Sequence, residues 1–159
     1  MEFKLFKKNP ERVALDIIQR YFGSHMKMSD EDFRKLCENV DSLKTKYPGE
    51  YRGAMAYISY RKGNLNDMWR YIDEDLMEDK GEEEYGAFIP AMMADVPDTL
   101  RYEILLKIYT KIGGYLALQQ MAEIAPRIGK VSEVREMILR ELEKSPKNRV
   151  LKSILKKLD

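Results

Sequence analysis

The chain has 159 residues, with 28 Lys and Arg against 27 Asp and Glu, one cysteine and one histidine. A formal charge of +1 removes the simple case for a nucleic-acid or membrane-surface protein, since both call for a positive surplus. The lone cysteine excludes an internal disulfide, one histidine with one cysteine excludes a standard zinc site, and the longest charge-free stretch, 112–122, is far short of the ~18 residues that span a bilayer.

An apolar fraction of 44% supports a real core, while 9 glycines and 6 prolines are too few for an all-β or disordered chain. The opening MEFKLFKKNPER is too charged for a signal peptide. The expectation is therefore one domain over 1–159, in a reducing, cytoplasmic setting, with no membrane span.

Periodicity is helical from the start. Asn9-Pro10 places a cap before proline at the first helical position, and Gly23 ends that helix. Ser29 caps a second, whose Phe33, Leu36, Cys37, Val40, Leu43 and Tyr47 recur at three and four until Pro48-Gly49. A third covers 50–62, with Met55 and Ile58 inward, and Gly63-Asn64 breaks it. A fourth, 64–79, carries Leu65, Met68, Trp69, Ile72 and Leu76 on one face. Five more are expected over 82–94, 97–112, 115–128, 131–144 and 147–158. No segment alternates with period two, so the expected class is all-α with no sheet.

These helices resemble one another. Gly63 and Gly129 stand 66 residues apart, twice 33, in the same kind of turn. Units beginning at Gly49, Glu82, Tyr115 and Asn148 bring Met55, Phe88, Met121 and Ile154 into register, and also Ile72, Leu105 and Ile138. The breakers Lys80-Gly81, Gly113-Gly114 and Pro146-Lys147 close the units. A period of about 33 with two helices per unit marks helical-hairpin arrays. On Ala56, Gly63-Asn64, Leu65, Met68, Ile72 and Leu76, and again on Ala122, Gly129-Lys130, Val131, Val134, Ile138, Leu142 and Pro146, the segment 49–159 resembles the tetratricopeptide repeat family. Ile89, Pro90, Arg101 and Pro126 depart from that pattern. The resemblance implies a short right-handed array of antiparallel hairpins: a degenerate hairpin over 1–48, three units over 49–147 and a capping helix over 148–159.

No catalytic, cofactor or metal motif emerges. The stretch 73–84 holds eight carboxylates and one lysine, net −7, but a calcium loop starting at Asp73 fails at Met77 and Glu78. It reads as a solvated helix end, with an acidic docking surface as the alternative. Gly129-Lys130 lacks the rest of a phosphate loop. Cys37 shares its helix face with Phe33, Leu36 and Val40 and reads as a structural thiol. His25 has no neighbouring acid to orient it. The segment 140–159 holds seven basic and three acidic residues, net +4. Its helix, with Arg149, Lys152 and Lys156 on one face and Val150, Leu151, Ile154, Leu155 and Leu158 on the other, reads as a cap, or alternatively as a nucleic-acid or anionic-membrane contact. The opposite charges of these two segments also permit self-association.

Tyr57, Tyr60 and Arg61 fall off the Met55–Ile58 stripe, on the side that faces the groove in tetratricopeptide-like arrays. Met93 shares their column in the next unit, Glu123 and Arg127 in the one after, with Gln119 and Gln120 one turn earlier. Gly86 and Ala87 would leave room in the floor. Aromatic anchors beside amides and a few charges suit a peptide groove. The expectation is a non-enzymatic interaction module whose partner is a peptide or helix of another protein. No cofactor and no specific nucleic acid are expected. The alternatives are an all-α nucleic-acid or membrane-associated factor using the basic last helix, and a small enzyme without a recognisable motif.

Overall fold

The computed structural model describes residues 9–159. Residues 1–8, the bulk of the charged opening judged unlike a signal peptide, lie outside the described part. Among the described residues there are nine α-helices and no strand. They are α1 Pro10–Tyr21, α2 Asp30–Asn39, α3 Pro48–Arg61, α4 Leu65–Leu76, α5 Phe88–Ala91, α6 Asp98–Ile112, α7 Leu116–Ile128, α8 Val131–Lys144 and α9 Arg149–Leu158, with short 3₁₀ turns at Val40–Leu43 and Glu82–Glu84. No helix is long and apolar enough to cross a membrane.

The chain divides into two compact units, Met1–Val96 and Pro97–Asp159. In the first, α3 is central: it packs against α4, α5 and the 40–43 turn, while α1 packs on α2 and on that same turn. The caps are local. Asn9 and Ser29 each accept from the backbone N–H three residues on, Arg12 and Asp32, and Asn64 does the same for Asp67, satisfying donors that a helix start leaves without partners.

In the second unit α7 is central and packs against α6, α8 and α9. Of the five residues expected inward on α9, Leu151, Ile154 and Leu158 are buried, Leu155 is half-buried and Val150, at the edge of that face, is exposed; α9 rests on both α7 and α8. Asn148 fixes its start twice over, accepting from Leu151 N–H and donating to the Tyr115 hydroxyl at 2.7 Å. Tyr102 and Tyr109, two turns apart on α6, donate to Glu133 and Glu141 on α8. Burial holds both phenols above their ordinary pKa, Tyr102 at about 12.

The turns at Gly63 and Gly129 share one geometry. Both glycines have left-handed φ, +81° and +71°. In each, the following N–H reaches the carbonyl five residues back, Asn64 to Ser59 and Lys130 to Ala125. This is the Schellman closure, which glycine adopts at little cost.

One expected helix is absent. In place of a helix over 82–94 the chain forms the 82–84 turn and the four-residue α5. The cause is tertiary. A Cβ on Gly86 would sit 1.7 Å from the Gly49 carbonyl oxygen, and one on Gly53 would sit 2.1 Å from that of Gly86, so this segment lies directly on the backbone of α3. The space expected at Gly86 and Ala87 is filled by that contact, and both residues are buried. Pro126 does not interrupt α7. It lies in the last turn and is exposed, where the missing N–H removes a single helical bond.

Candidate functional site

Of the eight residues expected to line a groove, four lie in each compact unit, and the two sets have different environments. In the first unit, Tyr57 is completely buried and Met93 is 1% exposed. This corrects the expectation that Tyr57 projects into a groove. Helix α3 buries Gly53, Ala54, Ala56, Tyr57, Ile58 and Ser59, nearly its whole circumference. An off-stripe residue on such a helix meets a second neighbour rather than solvent. Met55, expected inside, is only half-buried.

Tyr57 is the centre of a polar node. Its hydroxyl donates to the Asp95 carboxylate at 2.8 Å and accepts from Arg61 Nη1 at 3.3 Å. Arg61 also donates to the Met28 carbonyl at 2.9 Å and to Asp30 at 3.0 Å, and its guanidinium lies 4.2 Å from the Phe33 ring centre. The Tyr60 hydroxyl donates to the Asp95 carbonyl. Burial is the main reason the Tyr57 phenol is pushed far above its ordinary pKa, with Asp95 adding to it. The phenol therefore stays a neutral donor to a carboxylate, the role that a buried tyrosine between an acid and an arginine fills best. Tyr57, Tyr60 and Arg61 thus tie α3 to the loop after α5 and to the start of α2.

A second node occupies the acidic stretch. Asp75 is fully buried, although 73–84 was expected to be solvated. It accepts from Lys80 Nζ at 2.8 Å, Arg52 Nε at 3.1 Å and the Ala87 N–H at 2.9 Å. Arg52 Nη2 faces Glu78 at 2.9 Å as an ion pair without hydrogen-bond alignment. Two cations and a backbone donor compensate the desolvated carboxylate. Cys37 is half-buried rather than buried. Burial raises its pKa, which makes the thiol less reactive. No group of three His, Cys, Asp or Glu among the described residues is placed to hold a metal ion.

In the second unit the four expected residues are accessible. Gln119 and Gln120 are half-buried, and Glu123 and Arg127 are exposed. Their spacing puts them along one side of α7, opposite buried Leu118, Met121, Ile124 and Ala125. At the far end Arg127 grips Asp98 of α6 through Nε at 2.7 Å and Nη2 at 3.3 Å, a two-point contact that holds its plane. Arg101 reaches the same carboxylate at 3.4 Å. The Arg127 hydrogen bond is the main cause of the lowered Asp98 pKa. Nothing at Asp75, Asp95 or Asp98 announces these roles in the sequence, where each is one acid among 27 Asp and Glu.

Comparison with known families, with curated proteins and with solved structures finds no match to this chain.

Proposed function

We propose that the chain is a non-enzymatic protein-interaction module, binding a peptide or helical segment of another protein along the outer ridge of α7. The carrying observation is the contrast within the expected groove set. Tyr57 and Met93 are consumed by the core, whereas Gln119, Gln120, Glu123 and Arg127 form an accessible row on a helix held in place by α6, α8 and α9. Primary amides donate and accept, so such a row adapts to a backbone or a polar side chain. Arg127, already fixed by Asp98, loses little side-chain freedom on binding.

The array reading belongs to the same proposal. The α3/α4 and α7/α8 pairs are two hairpins of a degenerate tetratricopeptide-like series acting in a cytoplasmic setting. Their common Schellman turns at Gly63 and Gly129 support that reading. The short α5 leaves the middle repeat incomplete.

The test is affinity capture by the full chain from its source cell, against the Gln119→Ala/Gln120→Ala/Glu123→Ala variant. A protein held by the wild type and released by the variant, at an unchanged melting temperature, supports the ridge. Equal capture by both sinks it.

A further inference from the structure

Charge is unevenly divided between the two compact units. Residues 1–96 hold 15 basic and 19 acidic side chains, net −4, and residues 97–159 hold 13 and 8, net +5. The overall +1 conceals this separation.

Two groups of cations stand out within the second unit. Arg101, Arg127, Lys130, Arg135 and Arg140 are ion-paired. Lys144, Lys147, Arg149, Lys152, Lys156 and Lys157 are exposed and have no ionic or hydrogen-bonding side-chain partner among the described residues. Arg149, Lys152 and Lys156 repeat at three and four on α9, a row about 10 Å long at 1.5 Å per residue. Lys144 and Lys147 precede it in the chain, at the end of α8 and in the connection. The helix beneath is pinned by its buried Leu151, Ile154 and Leu158.

We propose that this row is a docking surface for the phosphate backbone of a nucleic-acid duplex. Unpaired cations on a fixed helix suit a polyanion whose charges recur every 3.4 Å along each strand. Exposed α9 offers lysine, arginine, serine and Val150, with no aromatic to stack on a base and no amide to read one. The contact is therefore positional, without sequence choice. An anionic membrane suits it less, because the apolar face that would insert is already buried in the unit. A protein partner would want a large apolar or aromatic anchor at the centre of the patch, whereas the exposed apolar side chain of α9, the small Val150, lies off the 149/152/156 row. The acidic stretch of a second copy is a poor match, since Asp75 is buried and Glu78 and Glu84 are engaged within their own chain.

The test is fluorescence anisotropy of a labelled 20-base-pair duplex with the full chain at 50 to 200 mM KCl. Five phosphate contacts predict a slope of log affinity against log salt of about −4.5, so the fourfold rise in salt weakens binding about 500-fold. A scrambled duplex should bind equally. Lys152→Gln/Lys156→Gln should make the slope shallower by about two, with unchanged circular dichroism and melting. The Gln119→Ala/Gln120→Ala/Glu123→Ala variant should bind the duplex as the wild type does, which separates this site from the α7 ridge. Absence of duplex binding at 50 mM KCl overturns the proposal, as does a slope indifferent to the two lysines. Tighter binding to phosphatidylserine vesicles or to polyglutamate than to the duplex overturns it as well.

Discussion

Replacing Asp75 by alanine should unfold the first unit at a much lower denaturant concentration. The carboxylate is fully buried, and the Arg52 and Lys80 side chains that hold it are 14% and 13% exposed. Its removal leaves two poorly hydrated cations with only the solvent-exposed Glu78 to offset them, and the Ala87 N–H loses its acceptor. Breaking a buried ion pair from one side costs ~3–5 kcal/mol, and an orphaned buried donor adds ~1–3 kcal/mol before relaxation. A net loss of about 4 kcal/mol is expected. With a urea dependence of about 1.5 kcal/mol per molar, the midpoint falls by roughly 2–3 M. Trp69 on α4 reports the transition, since it is the chain's one tryptophan. Asp75→Asn, which keeps an oxygen for the Ala87 N–H, should cost about half as much. Glu38→Ala removes the exposed pair with Arg34 and should cost below about 0.5 kcal/mol. If Asp75→Ala moves the midpoint no further than Glu38→Ala, the buried ionic node is not holding the unit.

The tyrosines of α6 predict an alkaline limit. Tyr102 ionises at about 12 in the folded unit, Tyr109 is also raised, and both ionise near ~10 when unfolded. Their contribution is complete below pH ~10 and is lost as the pH rises toward 12, because the unfolded chain releases those protons first. Urea titrations by circular dichroism between pH 9 and 12 should show that fall, flattened in Tyr102→Phe/Tyr109→Phe. On α9, Ile154→Ala should cost ~2–5 kcal/mol, the half-buried Leu155 less, and Lys152→Ala under about 0.5 kcal/mol. Equal losses at Ile154 and Lys152 would mean that α9 does not pack as described. Gly86→Ala drives a Cβ into the Gly49 carbonyl and should cost about 3 kcal/mol. Gly129→Ala meets open space in the left-handed helical well at φ +71° and should cost only ~1–2 kcal/mol. Melting temperatures of the two variants decide.

What was legible in the sequence was what is local. The caps at Asn9 and Ser29 and the glycine turns at 63 and 129 depend on residues within one turn of helix, so the chain spells them out. The all-helical class followed from the same periodicity. The failures are tertiary. Nothing near Gly86 says that its missing Cβ makes room for Gly49, so 82–94 read as a helix. Tyr57 looked outward because a stripe assumes one buried face, and α3 is enclosed on several sides. Asp75 was hidden among eight carboxylates, and only the folded chain brings Arg52 to it. On the outer side of α7 Glu123 and Arg127 are exposed, Gln119 and Gln120 are half-buried, and the pairing of Arg127 with Asp98 is another contact that only the folded chain brings about.

Photo-crosslinking decides whether the proposed partner docks on the outer side of α7 or at the Tyr57 node. A benzophenone amino acid replaces Glu123 in one variant and exposed Glu31 of the first unit in another, each used in extract of the source cell. Crosslinks to one discrete protein from position 123, absent from position 31 and suppressed by Gln119→Ala/Gln120→Ala, are the predicted result. Crosslinks from position 31 with none from position 123 would contradict it.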